Sequence, residues 1–139
     1  MAQIQEASMP TDAKHPRVLV VEDEFFIGLR IADVLQYMGC DVVGPLGTVA
    51  RASAEADRES IDAALLDVRI RDETVVPVAE ILNRRRIPFA LVTASAPDHL
   101  PASLLDRPYV PKPFTDEDIK TAVQNLLQDA GAERSSAAA

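Results

Sequence analysis

Five polar side chains each stand at the end of a short apolar run of the chain. They are Glu22, Asp23, Asp67, Thr93 and Lys112. Three of them are carboxylates, and carboxylates held at close quarters repel one another unless a cation neutralises them. Carboxylate oxygens are ligands that Mg²⁺ prefers. A single aspartate at a strand end is more often a turn residue, but a fold that brought all these residues together would create a magnesium site.

The apolar runs that precede these residues have the pattern of strands in a parallel sheet. Val18–Val21 is a continuous apolar segment, as expected for a central strand covered on both faces, and Ile61–Leu66 is a second, mostly apolar strand. Segments with apolar residues at helical spacing separate the runs, which is typical of repeated βα units. The five expected strands are Val18–Val21, Asp41–Gly44, Ile61–Leu66, Phe89–Val92 and Tyr109–Val110.

The helices between these strands differ in how clearly the sequence marks them. The first has an apolar stripe that begins at Ile27 and ends before Gly39. The last begins at a pair resembling a capping box, Thr115 and Asp118. Prolines interrupt residues 96–108, so the fourth helix is expected to be short or irregular.

This pattern predicts an α/β fold of the flavodoxin-like type. Its doubly wound, five-stranded parallel sheet would have the order 2-1-3-4-5, with helices on both faces. The carboxyl ends of such strands share one edge, and ligands bind there at the switch point between the first and third strands. Glu22, Asp23 and Asp67 would meet at that point.

The acidic balance of the chain restricts its partners. A net charge of -8 and a pI near 4.7 repel phosphate backbones and anionic lipid, so we expect neither nucleic acid nor a membrane as a partner. Cys40 is the sole cysteine, which excludes an internal disulfide and a thiolate zinc site. No stretch has the length and apolar character of a signal peptide or a membrane span. The expected location is the cytoplasm.

The patterned part of the chain accounts for one domain. We expect it to cover residues 17–128. Residues 1–16 and 129–139 lack sustained periodicity and are expected to be flexible tails. No output domain is expected after residue 128, so any signal would have to pass through a partner.

Four motifs of the chain resemble those of the receiver domains of two-component signalling. They are Val-Glu-Asp-Glu at 21–24, Leu-Leu-Asp-Val at 65–68, Val-Thr-Ala at 92–94 and Tyr-Val-Pro-Lys-Pro-Phe at 109–114. Each motif alone is weak, but their order over residues 17–127 is specific. The resemblance implies a stand-alone, chemotaxis-regulator-like response regulator.

The resemblance also implies roles for individual acidic residues. Asp67 would accept the phosphoryl group. The implied Mg²⁺ ligands are Asp23, Asp67, the backbone carbonyl of Arg69 and, through water, Glu22. The ion would offset the charge that develops on the transferring phosphoryl group.

Residues at the fourth and fifth expected strands would bind the phosphoryl group and change conformation in response to it. The resemblance assigns its oxygens to the segment containing Thr93 and Ala94, and to Lys112 as a point charge. It makes Tyr109 the aromatic switch residue, although half-buried packing alone would also account for this ring. It further implies a cis peptide bond before Pro113.

The loop after Asp67 departs from the common family pattern. It reads Val-Arg-Ile-Arg-Asp-Glu-Thr, where many receivers have a Met-Pro pair and a following Gly. With residues 76–79 and 87–89, this loop resembles a receiver subgroup often paired with HWE-type histidine kinases. That subgroup often has Thr-Gly-Tyr after its fourth strand, whereas Thr93 is followed here by Ala94 and Ser95.

The expected function is phosphoryl acceptance on Asp67 from a sensor histidine kinase or a histidine phosphotransfer protein, followed by signalling to a downstream partner protein. No enzyme activity is expected beyond self-catalysed, Mg²⁺-dependent gain and loss of the phosphoryl group. A degenerate receiver that signals without phosphorylation and a phosphoryl sink remain alternatives, and the sequence leaves a homodimer open. A haloacid-dehalogenase-type phosphatase is disfavoured, because Arg69 stands where that family has a second aspartate.

Overall fold

The computed structural model describes residues 15–138, with side chains described as far as Gly131. Its strands are β1 (Arg17–Val21), β2 (Asp41–Leu46), β3 (Ala63–Leu66), β4 (Arg69–Ile70), β5 (Glu73–Thr74), β6 (Phe89–Thr93) and β7 (Tyr109–Pro111). Its α-helices are α1 (Phe25–Tyr37), α2 (Val49–Arg58), α3 (Val76–Arg84) and α4 (Asp116–Ala138). Among these helices, none is both long enough and apolar enough to cross a bilayer.

Five of the strands form one parallel sheet in the order β2-β1-β3-β6-β7. The expected fourth and fifth strands are β6 and β7, so the predicted flavodoxin-like order is confirmed. The numbering differs because β4 and β5 form a separate antiparallel hairpin, in which Ile70 pairs with Glu73. The register of β1 and β3 aligns Val21 with Leu66. The residues that follow these two are therefore brought side by side.

Both faces of the sheet are buried, and alternation along each strand divides the core into two layers. In β1, Leu19 and Val21 belong to the layer under α2 and α3, whereas Val18 and Val20 belong to the layer under α1 and α4. All four side chains are at most 1% exposed. Each such burial contributes about 1.5–3 kcal/mol, and together they explain why the strand is apolar throughout.

The segment between β6 and β7 has no α-helix. Two 3₁₀ turns, at Pro97–His99 and Ala102–Leu104, take the place of the expected fourth helix. Leu104 is the buried anchor of this segment, while Leu105 is exposed. The prolines that flank the turns are incompatible with a longer helix, because proline lacks the backbone donor and clashes with the preceding turn.

The last helix is longer than the sequence indicated. Residues 129–139 were expected to form a tail, but α4 continues to Ala138, and Ala130 is 4% exposed. A glycine inside a helix costs only about 1 kcal/mol relative to alanine, so Gly131 does not end it among good helix formers. The tail expected at residues 1–16 lies outside the described residues except for His15 and Pro16. The Pro16 carbonyl accepts a hydrogen bond from the Asp41 amide at 2.9 Å.

Gly44 should be the glycine least tolerant of substitution, because its φ is +113° and an added Cβ would lie 2.7 Å from the Val20 carbonyl oxygen. Gly39 is a matched control, since its φ is +91° but no atom lies within 4 Å of such a Cβ. We expect Gly39→Ala to lower the free energy of unfolding by about 1 kcal/mol and Gly44→Ala by about 3 kcal/mol or more. Urea denaturation measures both, and equal losses would contradict the steric argument.

Candidate functional site

The sheet register brings the predicted acidic residues together. Glu22 and Asp23 directly follow β1, and Asp67 directly follows β3. The Asp67 amide donates a hydrogen bond to the Val21 carbonyl at 3.0 Å, which continues the pairing of the two strands by one residue. Carboxylate oxygens of the three acids lie within 4.8 Å of one another. We call these three residues the acidic cluster.

Lys112 provides the positive charge that holds the acidic cluster together. Its Nζ lies 2.7 Å from Glu22 Oε1 and donates a hydrogen bond to Asp67 Oδ2 at 2.8 Å. The lysine reaches this position because it follows β7, whose pairing with β6 ends in a hydrogen bond from the Lys112 amide to the Thr93 carbonyl. One ammonium group therefore bridges acids that follow two different strands.

Burial changes the pKa values of the groups in these two contacts. Glu22 is 4% exposed, and desolvation raises its pKa, with the negative charge of Asp67 adding to the effect and Lys112 opposing it. Burial alone would lower the pKa of Lys112, but its hydrogen bond to Asp67 and the charges of Asp67 and Glu22 outweigh burial and raise it. The lysine is therefore fully charged at neutral pH, whereas ionisation of Glu22 is opposed by the fold.

The acidic cluster fits a hard divalent cation. Its three carboxylates supply oxygen ligands of the type that Mg²⁺ binds. Glu22 Oε1 is buried and accepts no hydrogen bond of acceptable geometry among the described residues, although the Lys112 ammonium lies 2.7 Å away. Asp23 is exposed, so a cation that keeps several waters can approach from solvent. Asp23, Asp67 and Glu22 are the side chains that would hold the ion.

The hairpin after Asp67 contributes a contact that the sequence did not indicate. The Arg71 amide donates a hydrogen bond to Asp23 Oδ2 at 2.7 Å. Arg69 lies in β4, opposite Thr74, with an exposed side chain. The proposed role of its backbone carbonyl as a metal ligand stays a prediction. The sequence showed that this loop has an unusual composition. It could not indicate the contact of the Arg71 amide, because every residue type except proline has a backbone amide donor.

The structure places the predicted switch residues on β6 and β7. Thr93 is 1% exposed, and its hydroxyl oxygen accepts a hydrogen bond from the Ser95 amide at 3.2 Å. Ala94 is exposed. The Tyr109 hydroxyl donates a hydrogen bond to the Ser95 carbonyl, so its half-buried ring lies beside the segment that follows Thr93. The Lys112–Pro113 peptide is cis.

An apolar surface borders the acidic cluster on α1. Phe25 and Phe26 are 71% and 73% exposed, and their rings meet edge to face at 5.2 Å. Phe26 shares a groove with Lys112 and Phe114. Both phenylalanines fall outside the apolar stripe of the first helix. Their position outside the stripe is the feature of the sequence that could have predicted their exposure. Large exposed aromatics beside a charged site are typical of a surface that meets another protein.

Comparisons with known proteins find several relatives among solved structures. SdrG from Sphingomonas melonis Fr1 is 39% identical, with a TM-score of 0.72 over 82% of this chain and 98% of SdrG. The response regulator PhyR from Brucella abortus is 28% identical, with a TM-score of 0.77 over 88% of this chain and 52% of PhyR. No protein-family model matches the chain.

A curated relative is longer than this chain. The transcriptional regulatory protein PdtaR of Mycobacterium tuberculosis is 30% identical over 118 residues, which are 81% of this chain and 58% of PdtaR. The chain thus spans little more than half the length of that relative. SdrG has also been solved in a BeF3-activated conformation, which this chain matches with a TM-score of 0.67.

The raised pKa of Glu22 should appear in the pH dependence of stability without metal. A raised folded-state pKa stabilises the fold fully below the unfolded value of 4.5, and that contribution is lost as pH rises through the folded value. The free energy of unfolding of the wild type, minus that of Glu22→Gln, should therefore fall as pH rises above 4.5 and then level off. Urea titrations in EDTA at several pH values measure it. A difference that grows with pH would show that pairing with Lys112 outweighs burial.

Proposed function

Since the chain belongs to the response-regulator receiver family, we propose that it accepts a phosphoryl group on Asp67 from a histidine kinase or a histidine phosphotransfer protein. The observation that carries the proposal is the position of Asp67. Its carboxylate lies in the acidic cluster and contacts the Lys112 ammonium at 2.8 Å. A nucleophilic carboxylate, oxygen ligands for a cation and a fixed positive charge therefore occur at one sheet edge, which is what phosphoryl transfer requires.

The transfer can be written with the residues present. A carboxylate oxygen of Asp67 forms a bond to phosphorus, and the phosphorus–nitrogen bond of a phosphohistidine breaks, with the imidazole nitrogen keeping the electron pair. Mg²⁺, when bound, would offset charge on the phosphoryl oxygens. Lys112 would exchange its present contact with Asp67 for a contact with a phosphoryl oxygen. The resulting acyl phosphate returns to the carboxylate and inorganic phosphate by hydrolysis.

The proposed output lies on β6 and β7. The Thr93 hydroxyl is the donor proposed for a phosphoryl oxygen, with the backbone at Ala94 beside it. Reorientation of Thr93 would disturb its hydrogen bond with the Ser95 amide, and the Ser95 carbonyl in turn holds the Tyr109 hydroxyl. A local charge change would thereby bias the position of one aromatic ring. The BeF3-activated conformation of SdrG supports phosphorylation as the event that starts this change, since beryllofluoride is a phosphoryl mimic.

The proposed partners are proteins. A net charge of -8 disfavours nucleic acid and anionic membranes, and it is compatible with a cytoplasmic location. A downstream protein would read the surface around Tyr109, and a homodimer is one form that such a contact could take. The loop after Asp67 favours a kinase of the HWE type. A phosphoryl sink would differ only in lacking a downstream reader, and a degenerate receiver would not be phosphorylated. No enzyme activity on other substrates is proposed.

Asp67→Asn should abolish phosphorylation, because an amide cannot form the acyl phosphate. The purified chain would be incubated with a small phosphodonor in Mg²⁺ or in EDTA and its intact mass recorded. We expect one hydroxylamine-labile phosphoryl group on the wild type in Mg²⁺, and none in EDTA or on the variant. Undiminished labelling of Asp67→Asn would overturn the assignment of the acceptor, and an unlabelled wild type would favour the degenerate receiver.

Phe26→Ser should separate docking from chemistry. The Phe26 ring is exposed beside Lys112 and is not in the acidic cluster. Transfer from a cognate phosphohistidine protein should therefore slow about tenfold, in line with loss of an aromatic contact at an interface, while labelling by a small phosphodonor stays unchanged. Tyr37→Ser is the matched control, since this exposed aromatic lies at the other end of α1. Equal effects of the two changes would contradict a specific docking role for Phe26.

A further inference from the structure

The turn between β4 and β5 connects two loops at the acidic cluster. The Arg71 amide donates to Asp23 Oδ2 at 2.7 Å, and Arg71 Nε donates to the Gly47 carbonyl at 3.0 Å. We propose that Arg71 is a positioning residue for Asp23: it holds one carboxylate oxygen so that the other is presented to the cation. This proposal rests on the proposed function, because it requires that the acidic cluster binds a cation.

The backbone of Arg71 indicates that its conformation is imposed by its surroundings. Its φ is +59°, a value that residues with a Cβ rarely adopt. Arg71 is the first of two turn residues, since Ile70 pairs with Glu73, and hairpins of this length usually have glycine at positions of positive φ. The hairpin is anchored on both sides, because Ile70 and Val75 are at most 1% exposed. Unfavourable backbone conformations persist where neighbouring structure determines them, often at functional sites.

The Arg71 side chain supplies what a glycine in the turn could not. Its guanidinium group links the hairpin to the Gly47 carbonyl, in the loop between β2 and α2. Gly47 itself packs against the backbone of Asp23, because a Cβ added there would lie 3.6 Å from Asp23 Cα. The contacts of Asp23, Arg71 and Gly47 therefore form a closed ring. This ring fixes the distance from the hairpin amide to the Asp23 carboxylate.

Asp23 is the member of the acidic cluster that most needs such support. Its side chain is exposed, whereas Glu22 is buried and Asp67 is held by Lys112. An exposed carboxylate without a partner samples several rotamers, and binding a cation would have to restrict them. A hydrogen bond from a fixed amide restricts them in advance. Groups that orient metal ligands in this way typically raise metal affinity.

Charge and positioning predict opposite effects of removing the Arg71 side chain. A guanidinium close to the acidic cluster repels a divalent cation, so loss of its charge alone should strengthen Mg²⁺ binding. Loss of the link to Gly47 should weaken binding, because Asp23 becomes free to rotate. The sign of the change in affinity therefore distinguishes a positioning residue from a nearby surface charge.

The test is a Mg²⁺ titration of the full chain followed by ¹H–¹⁵N NMR. For Arg71→Gln we expect the dissociation constant for Mg²⁺ to rise about tenfold, the lower range for groups that orient metal ligands. Arg71→Gly should weaken binding similarly while leaving the melting temperature in EDTA equal or higher, since glycine accepts positive φ. Arg71→Lys, which can still reach a carbonyl, should recover part of the affinity. Arg51→Gln, which removes an exposed arginine four residues after Gly47, controls for charge and should not weaken binding.

The outcomes separate this proposal from the function on which it rests. Wild-type chain that shows no Mg²⁺-dependent shifts at the acidic cluster would contradict the proposed cation site itself. A second outcome is that the wild type binds Mg²⁺ and Arg71→Gln binds it equally well or more tightly, as expected for Arg51→Gln. That result would overturn only the role of Arg71. A lower melting temperature of Arg71→Gly in EDTA, together with unchanged Mg²⁺ affinity, would assign Arg71 to stability alone.

Discussion

Repulsion among three carboxylates is the constraint on which the site depends. Glu22, Asp23 and Asp67 have oxygens within 4.8 Å of one another, and Glu22 is almost completely buried. Such a cluster requires either protonation of a carboxyl group or a positive charge beside the carboxylates. The Lys112 ammonium supplies that charge without metal, and it does so by contacting two of the three acids. A phosphoryl group added to Asp67 would change this balance directly.

The sheet holds these charges in place because it is buried on both faces. Side chains of β1 and β3 alternate between two apolar layers, so a shift of either strand by one residue would move each side chain into the opposite layer and disrupt its packing. That register aligns Val21 with Leu66 and therefore Glu22 with Asp67. The electrostatic cost of the site is thus offset by hydrophobic burial in β1 and β3, whose interior positions contain no charged residue.

The segments that follow the strands contain the features of the site that the parallel sheet alone does not provide. The hairpin β4–β5 places an arginine amide on Asp23, and the two 3₁₀ turns between β6 and β7 leave the segment around Tyr109 without a full helix. At the start of α1, Phe25 and Phe26 present an apolar surface to solvent. The acidic cluster, this apolar surface on α1 and the proposed output on β6 and β7 therefore lie around one edge of the sheet.

The sequence by itself determined the strands and the residues of the acidic cluster, because both depend on local patterns. The order of the strands followed from the fold type that alternating strands and helices predict. Apolar runs such as Val18–Val21 specify buried strands, and a parallel sheet must bring its carboxyl ends to one edge. Sequence alone did not indicate that α4 extends beyond residue 128, since helix propensity there is finely balanced around Gly131. Only the tertiary structure decided which atoms meet. That Lys112 bridges two acids, and that the backbone of Arg71 holds Asp23, depends on register and backbone direction, which residue types do not encode.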